Sequence, residues 1–334
     1  MGSRASTIML ATAALLVVAL VSATSAADRI EAFASIPPQA YLIERVGGDL
    51  VRVSVLVQPG QSPHTFEPSP SLASALSKSD VCFSIGLPFE DQLIRDVVAA
   101  NPDLLVVDSI AGLETHGMDS TAGTHAHDAD STVGTHGSDS TAGLDKHGDD
   151  ATGSHHHETD PHVWLSPRAA AKIAGNVRDG LAGLDPEGIP LYDENLARLT
   201  AELAELDSEI AETLAPYRGM SFFVFHPAYG YFAREYGLKQ IAIEVEGREP
   251  GPRDLASVVS EAKERRARTL FLQPQHSSPV AETAAREIGA EIEMLDPLGR
   301  DYFAMMRQIT QKLSEALAGE SRAKHPSPSD QEAE

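Results

Sequence analysis

Short apolar runs rich in β-branched residues alternate with helical segments in two separate series, and this alternation restricts the fold more than any other feature. The first series has four such runs: Ile30–Ile36, Val51–Val57, Val81–Ile85 and Leu104–Asp108. The second series has four more: Ser221–Phe225, Gln240–Val245, Thr269–Gln273 and Glu291–Leu295. Strands that alternate with helices predict parallel sheets built from right-handed βαβ units. The chain is therefore predicted to be an α/β protein.

The segments between these runs have helical character. In the first series they are Gln39–Val46, Ser69–Ser77 and Leu87–Ala100. In the second series they are Tyr229–Tyr236, Pro252–Ala267 and Pro279–Ile288, and Asp301–Leu317 is predicted as a closing helix. Gly237 and Gly289 follow two of these segments directly, and glycine at that position commonly ends a helix.

The longest periodic segment, Leu191–Leu214, lies between the two series. Leucine or isoleucine recurs there at three- and four-residue steps, at positions 196, 199, 203, 206, 210 and 214. A helix of this length is about 35 Å long, roughly the width of a domain. We interpret it as a rigid connector between two domains. A coiled-coil partner is the alternative, although the pattern lasts only about three heptads.

The first 27 residues have the features of a signal peptide. Arg4 precedes an apolar run, Met9–Val21, that is short for a bilayer span, and Ser25-Ala26-Ala27 offers small residues for cleavage. We expect cleavage near Ala27 and a soluble, periplasmic protein, with an uncleaved anchor as the alternative. No cysteine lies near this position, so we expect no lipid anchor.

The net charge of −23 argues against nucleic acid as a partner, because phosphates would be repelled, and it suits a protein that meets cations. Cys82 is the only cysteine, so the chain can form no internal disulfide. Since it lies within an apolar run, we predict that it is a buried strand residue.

Composition changes sharply between His116 and His157, where eight of the thirteen histidines occur. They are His116, His125, His127, His136, His147, His155, His156 and His157. Gly, Ser, Thr and Asp supply most of the remainder, so the segment has little apolar surface to bury. We predict a disordered insertion over residues 115–158 that binds metal weakly at several places. A tolerated polar insertion without function is the alternative.

Three residues stand where a predicted strand ends and a loop begins. His64 lies after the second strand of the first series, His226 directly follows the first strand of the second series, and Asp296 directly follows its last strand. Ligand sites in open parallel sheets gather beyond the carboxyl ends of the strands. His162 also stands at a boundary between a loop and regular structure. It precedes a helix that Ser166 is placed to cap and Pro167 to begin.

Each of these four residues has proline beside it, which limits backbone freedom. We therefore hypothesise that His64, His162, His226 and Asp296 bind one metal ion in a cleft between two domains. A single histidine at a strand end is more often an ordinary hydrogen-bonded residue, so the hypothesis depends on the whole set. Three further residues are left open as neighbours of the site. They are His276, which also follows a strand, and Glu67 and Asp160, which lie close in sequence to the proposed ligands.

Four motifs, SPHTFEP, DPHVWLSP, FHPAYGYFAREYGL and LDPLG, resemble those of the cluster A-I, or ZnuA-like, zinc-binding proteins of bacterial ABC importers. The resemblance covers nearly all of the chain after residue 27. It implies two (βα)4 domains with four-stranded parallel sheets, joined by one long rigid helix. It also places the family's ligand positions on His64, His162, His226 and Asp296. Delivery to an ABC permease in the inner membrane, driven by a cytoplasmic ATPase, is the activity that it implies.

We accordingly expect an N-terminal domain over residues 28–185, a backbone helix over 186–216, a C-terminal domain over 217–318 and a disordered tail over 319–334. The protein is expected to be a monomer, and a zinc chaperone is a further partner that the sequence leaves open.

Three neutral imidazoles and one carboxylate suit tetrahedral Zn²⁺, whereas Mn²⁺ prefers more oxygen ligands. Manganese-binding relatives in the family usually carry Glu where this chain has His226. An importer component for Mn²⁺ or another divalent ion, and a metal-dependent adhesin, are the alternatives. A zinc hydrolase is a third, but it would need an open coordination position and a general base, and no HExxH motif is present. We therefore expect a transport protein and not an enzyme.

Overall fold

The computed structural model describes residues 29–118, 159–244, 248–276 and 279–324, and their contacts form two compact units. Unit 1 contains residues 29–58, 63–111 and 171–202. Unit 2 contains residues 59–62, 112–118, 159–170 and the described residues from 203 onward. The predicted signal peptide, insertion residues 119–158 and the tail from residue 325 lie outside the described residues.

Unit 1 is built on a four-stranded parallel sheet. Its strands are β1 Ile30–Ala34, β2 Val51–Val55, β3 Val81–Ser84 and β4 Leu105–Asp108. Their spatial order is β2-β1-β3-β4, so the chain adds strands on both sides of β1. Ala32 pairs with Val53 on one side and with Val81 on the other. The sheet predicted for the first series is confirmed.

The helices of unit 1 begin and end at residues suited to those positions. They are α1 Pro37–Gly47, α2 Pro70–Leu76, α3 Glu90–Ala100 and, from residue 171 onward, α4 Pro167–Leu184. Ser69 caps α2 by accepting a hydrogen bond of 3.3 Å from the Leu72 amide, and Pro70 occupies the first turn. Gly48 ends α1 at a φ of 56°, a left-handed value that glycine tolerates.

The long helix predicted between the two series is present as α5, Ile189–Leu214, with 26 residues. At 1.5 Å per residue it is about 39 Å long. The periodic residues from 199 onward are buried: Leu199, Leu203, Leu206, Ile210 and Leu214. Burial along one stripe explains why a helix with a largely acidic opposite face is stable.

Unit 2 repeats the topology of unit 1. Its strands are β5 Ser221–Val224, β6 Lys239–Ala242, β7 Thr269–Leu272 and β8 Glu291–Met294. They form a parallel sheet in the order β6-β5-β7-β8. The fold class predicted from the sequence, two four-stranded parallel sheets with helices and one long helix, is confirmed. Strand β6 ends at Ala242, three residues before the end predicted from its apolar run.

The helices that belong wholly to unit 2 are α6 Gly230–Tyr236, α7 Pro252–Glu264, α8 Pro279–Ile288 and α9 Tyr302–Lys324. Gly237 and Gly289 follow α6 and α8 with φ values of 71° and 81°, as the sequence predicts for helix ends. Helix α9 extends to Lys324, seven residues beyond the segment predicted from the sequence.

Each unit has its own apolar core. In unit 1 the buried cluster contains Phe33, Leu56, Leu76, Cys82, Leu93, Val97 and Leu104. In unit 2 it is larger and includes Phe223, Phe225, Ile241, Ile243, Val258, Leu270 and Leu272. Cys82 is a buried residue of β3, as predicted, and burial raises the pKa of its thiol to about 12. Within the described part of the chain, no helix combines the length and apolar character needed to cross a bilayer.

The segment around Trp164 packs within unit 2, although its sequence position precedes α4. The Trp164 indole Nε1 donates a 2.8 Å hydrogen bond to the Pro297 carbonyl, and the Tyr302 hydroxyl donates one of 2.8 Å to the Trp164 carbonyl. Both bonds are buried, and both join this segment to the region around α9. The predicted domain limits of 28–185 and 217–318 stay predictions, but the contacts of residues 159–170 lie with unit 2.

A buried carboxylate organises the carboxyl edge of the sheet in unit 1. Glu90 accepts hydrogen bonds from the Ser35 hydroxyl and from the amides of Ile85, Gly86 and Leu87. Burial raises the pKa of Glu90, while these four donors oppose the rise. The carboxyl group therefore satisfies four polar groups that would otherwise lack partners in the core.

We expect Glu90→Gln to lower the free energy of unfolding by about 2 kcal/mol, because the new NH₂ group would face amide donors. Since the folded pKa of Glu90 is raised, the native state binds this proton more tightly than the unfolded chain. The carboxyl group therefore contributes more stability as pH falls through its folded pKa, and the difference from the variant should widen as the pH is lowered. Urea unfolding at several pH values measures this. The exposed neighbour Asp91→Asn is the control, with an expected change below about 0.5 kcal/mol; an equal loss in both variants would refute the role of Glu90.

Two glycines should respond to alanine in opposite directions. Gly237→Ala should cost about 1–2 kcal/mol, because Gly237 has a φ of 71° and alanine is strained there. Gly175→Ala should stabilise by about 0.5–1 kcal/mol, since Gly175 lies within α4 and an added Cβ would meet nothing within 4 Å. Thermal or urea unfolding of both variants measures the contrast. Effects of the same sign would contradict the helix ends described above.

Candidate metal centre

Three of the polar residues in unit 2 lie just beyond the carboxyl ends of β5, β6 and β7. They are His226, Glu244 and His276. The pairing of β5 with β6 continues past the strand ends, because the Glu244 amide donates a 2.9 Å hydrogen bond to the Phe225 carbonyl. This extension brings Glu244 beside His226, although the two are 18 residues apart in sequence. The site is therefore assembled by the order of the strands.

His226 donates its Nδ1 proton to Glu244 Oε2 over 2.6 Å. Burial lowers the pKa of His226 to about 4, even though Glu244 opposes the shift. Burial by itself raises the pKa of Glu244, but hydrogen bonds from His226 and His276 outweigh it and lower the pKa to about 2. At neutral pH the pair is thus a neutral imidazole and a carboxylate. The carboxylate holds the proton on Nδ1, which leaves Nε2 unprotonated and able to bind a metal.

His162 is held in the same way by a residue close to it in sequence. Asp160 Oδ1 accepts a 2.9 Å hydrogen bond from the His162 amide and one of 2.7 Å from His162 Nδ1. Both side chains are buried. Asp160 also approaches α6 so closely that a Cβ at Gly230 would lie 2.7 Å from its Oδ2, which explains the glycine at that position. The role of Asp160 left open by the sequence is therefore to orient His162.

The two oriented imidazoles lie close together in unit 2. The ring centroids of His162 and His226 are 5.3 Å apart, with an angle of 71° between the ring planes. Both rings are buried, and each has its Nδ1 on a carboxylate. Helix α4 is fixed beside His162 by Ser166, whose hydroxyl accepts a 3.1 Å hydrogen bond from the Ala169 amide, as the sequence predicted. Two imidazoles in this arrangement can share one cation.

Asp296 follows β8 at the same edge of the sheet, and its backbone is anchored by a 2.7 Å hydrogen bond from the Leu295 amide to the Leu272 carbonyl. Its Oδ1 accepts hydrogen bonds of 2.9 Å from Gln275 Nε2 and 3.0 Å from the Leu298 amide. Among the described residues, Asp296 belongs to no group of three His, Cys, Asp or Glu side chains with ligand atoms within 4.8 Å of one another. Its coordination of a metal stays a prediction.

His64 lies in unit 1, in the segment between β2 and α2, and is partly exposed. Its neighbour Pro63 is buried. Glu67, three residues further on, is exposed. The participation of His64 in a metal site also stays a prediction.

The described residues on either side of positions 119–158 lie near Asp160. Gly117 and Thr159 form an antiparallel bridge, and the Asp160 amide donates a 2.8 Å hydrogen bond to the His116 carbonyl. The His116 amide in turn donates to the Tyr231 hydroxyl over 3.1 Å. His116 is the one insertion histidine within the described residues. The others lie outside them: His125, His127, His136, His147, His155, His156 and His157.

Sequence reasoning missed Glu244 and gave His276 no more than a place beside the site. Glu244 was assigned to the interior of a predicted strand, Gln240–Val245, because the apolar run continues through Val245. Had β6 been ended at Ala242, Glu244 would have joined the residues that follow strand ends. The signal was present, but the strand boundary concealed it.

Comparison with known proteins agrees with this fold. The sequence pattern of the family described as "Zinc-uptake complex component A periplasmic" matches residues 33–316. The zinc-binding lipoprotein AdcA of Streptococcus pneumoniae is 26% identical over 325 residues, which cover 94% of this chain and 61% of the relative. The high-affinity zinc uptake system protein ZnuA of Bacillus subtilis is 35% identical over 173 residues, covering 48% of this chain and 54% of the relative. The matched region of the chain thus covers between about one half and three fifths of the length of these two relatives.

Solved structures of ZnuA are also similar to this chain. A crystal structure of ZnuA has a TM-score of 0.73 and 36% identity, and the match covers 87% of this chain and 100% of that one. A zinc-bound deletion mutant of ZnuA has a TM-score of 0.72 and 37% identity, with 86% of this chain and 98% of that one covered. Because the family pattern extends over most of the sequence, this chain belongs to the ZnuA family of zinc-uptake components.

Proposed function

We propose that the chain binds Zn²⁺ outside the cytoplasm and delivers it to the permease of an ABC importer. The observation that carries the proposal is the pair of buried imidazoles, His162 and His226, with ring centroids 5.3 Å apart and each Nδ1 on a carboxylate. The family description names a component of an uptake complex, which favours transport over catalysis. The zinc ion is the cargo in this function.

The proposed ligands are His162 and His226 through Nε2, His64 from unit 1, and Asp296. Asp296 Oδ1 already accepts two hydrogen bonds, so the proposal assigns the ion to Oδ2. Three imidazoles and one carboxylate match the tetrahedral preference of Zn²⁺, with Zn–N distances near 2.0–2.1 Å. Support for His64 and Asp296 comes from their motifs and from their positions after strand ends.

Charge balance also favours a divalent cation. Neutral imidazoles add no charge, so a buried Zn²⁺ needs anions near it. Asp160 and Glu244 supply two carboxylates that contact the ligand rings and not the ion. Such outer carboxylates raise the basicity of the imidazoles and keep each ring in the binding tautomer. Capture then requires little rearrangement of His162 and His226.

The sequence and the relatives together support a proposal for the cellular setting. We propose that residues 1–27 direct export and are removed near Ala27, and that the mature protein acts in the periplasm as a monomer. Its partner is an ABC permease in the inner membrane with a cytoplasmic ATPase. A zinc chaperone is a further proposed partner.

Loss of either oriented imidazole should weaken zinc binding strongly. We expect His162→Ala and His226→Ala each to lower the affinity of the tightest zinc site more than about 100-fold, because outer-sphere changes alone cost 10–100-fold. Competition titration against a chromophoric chelator measures the affinity. His116→Ala is the matched control, since His116 is a described histidine outside the proposed ligand set, and its effect should stay below about threefold. Equal effects in all three variants would overturn the assignment.

The insertion should be dispensable for the tightest site if its stem is kept. Deletion of residues 119–158 retains the Gly117–Thr159 bridge and the bond from the Asp160 amide to His116. We expect this variant to keep its tightest zinc site within about threefold while it binds fewer ions in total, because its weak sites are gone. Calorimetric titration reports both quantities.

Deletion of residues 115–158 is the paired variant, because it also removes His116 and Gly117 and so the stem beside Asp160. It should bind zinc more weakly than the shorter deletion. If the shorter deletion abolished the tightest site, the primary ligands would lie in the insertion and the proposal would fail.

A further inference from the structure

Glu244 is shared between two imidazoles, which distinguishes it from Asp160. Its Oε2 accepts the Nδ1 proton of His226 over 2.6 Å, and its Oε1 lies 3.6 Å from Nδ1 of His276. The rings of His226 and His276 are stacked, with centroids 4.5 Å apart and 10° between their planes. The three side chains present ligand atoms that all lie within 4.8 Å of one another. This group is defined here as the Glu244 cluster.

The Glu244 cluster becomes more exposed with distance from His226. The side chain of His226 is 1% exposed, that of Glu244 is 6% exposed and that of His276 is 16% exposed. The cluster therefore joins a buried proposed zinc ligand to a histidine that solvent reaches. His276 is held in place through its backbone, whose amide donates a 3.0 Å hydrogen bond to the Gln273 carbonyl.

Two imidazoles and one carboxylate, with water as a fourth ligand, form a known tetrahedral coordination set for Zn²⁺. The 3.6 Å between Glu244 Oε1 and His276 Nδ1 is close to the ~3.4 Å that separates two ligands of a tetrahedral ion with bonds near 2.1 Å. The 2.6 Å between His226 Nδ1 and Glu244 Oε2 is a hydrogen-bond distance, so these two atoms would move apart by about 0.8 Å to admit an ion. An ion on this set would replace the proton on His226 Nδ1, and Nε2 would carry a proton instead, so the imidazole stays neutral. The chemistry of the set thus fits the same cargo as the primary site.

We propose that His226, Glu244 and His276 form a second Zn²⁺ position, which the ion occupies on its way into or out of the primary site. This inference rests on the proposed function, because it treats His226 as a primary ligand. His226 uses Nε2 in the primary site and Nδ1 in the second position. A neutral imidazole has one lone pair, so a single ion occupies one position at a time. His226 then passes the ion between the positions by a change of tautomer.

The direct test removes the primary site and leaves the Glu244 cluster intact. In the full chain, His64→Ala combined with His162→Ala should still bind Co²⁺, a coloured substitute for zinc, with tetrahedral absorption. Adding His276→Ala should remove about one equivalent of this tetrahedral Co²⁺. Adding His325→Ala instead is the matched control, because His325 belongs to neither set of ligands nor to the insertion, and it should leave the tetrahedral absorption unchanged. The histidine-rich insertion is present in every variant, so its contribution cancels in the difference.

His276→Gln serves as a second variant. It removes the imidazole nitrogen but keeps a polar side chain of similar size, so no cavity is created. It should remove the same equivalent. If His276→Ala and His276→Gln both leave the tetrahedral absorption unchanged, the second position does not exist. If the double variant of His64 and His162 keeps the tightest zinc affinity of the wild type, the proposed primary site fails instead, so the two failures are distinguishable.

A kinetic measurement tests the transfer role in the chain with an intact primary site. His276→Ala should slow zinc release to an excess of chelator in stopped-flow experiments by at least about tenfold, while the equilibrium affinity stays within about threefold. Slower release at constant affinity requires equally slow uptake, as expected for a lost intermediate position. Unchanged release and uptake rates would overturn the transfer role.

Discussion

The hydrogen bond from an imidazole Nδ1 to a buried carboxylate is the interaction on which the site depends. In the described part of unit 2 it holds both proposed imidazole ligands, His162 through Asp160 and His226 through Glu244, at 2.7 and 2.6 Å. Each bond fixes the tautomer and the orientation of a ring, and it supplies negative charge near a cation without using a coordination position. Without the carboxylates, neither buried imidazole would have a fixed proton on Nδ1, and Nε2 would not be kept as the metal-binding nitrogen.

The fold serves this interaction by bringing carboxylates and imidazoles to one edge of a sheet. In unit 2 the order β6-β5-β7-β8 puts the residues that follow β5, β6 and β7 side by side. The equivalent edge in unit 1 has the same strand order but holds Glu90 among amide donors. The same topology therefore holds a buried polar network in unit 1 and a group of proposed metal ligands, one of them partly exposed, in unit 2. The difference lies in the residues after the strands.

The sequence was sufficient for the features that depend on local pattern. The strand-like runs, the periodic leucines of α5, the cap at Ser166 and the glycine after α6 were all predicted and are all present. Asp160 can be identified from the sequence because it lies two residues from His162. Glu244 cannot, because it reaches His226 only through the pairing of β5 with β6, and its apolar neighbours extend the predicted strand past it. A contact that depends on strand order and an exact strand end cannot be read from periodicity.

The tautomers of His162 and His226 in the metal-free protein test the central claim most directly. Long-range ¹H–¹⁵N NMR correlation of histidine-labelled protein distinguishes a protonated Nδ1 from a protonated Nε2. Both residues are expected to carry the proton on Nδ1 near neutral pH, and added zinc is expected to shift their Nε2 resonances. A proton on Nε2 of either ring in the metal-free protein would contradict it.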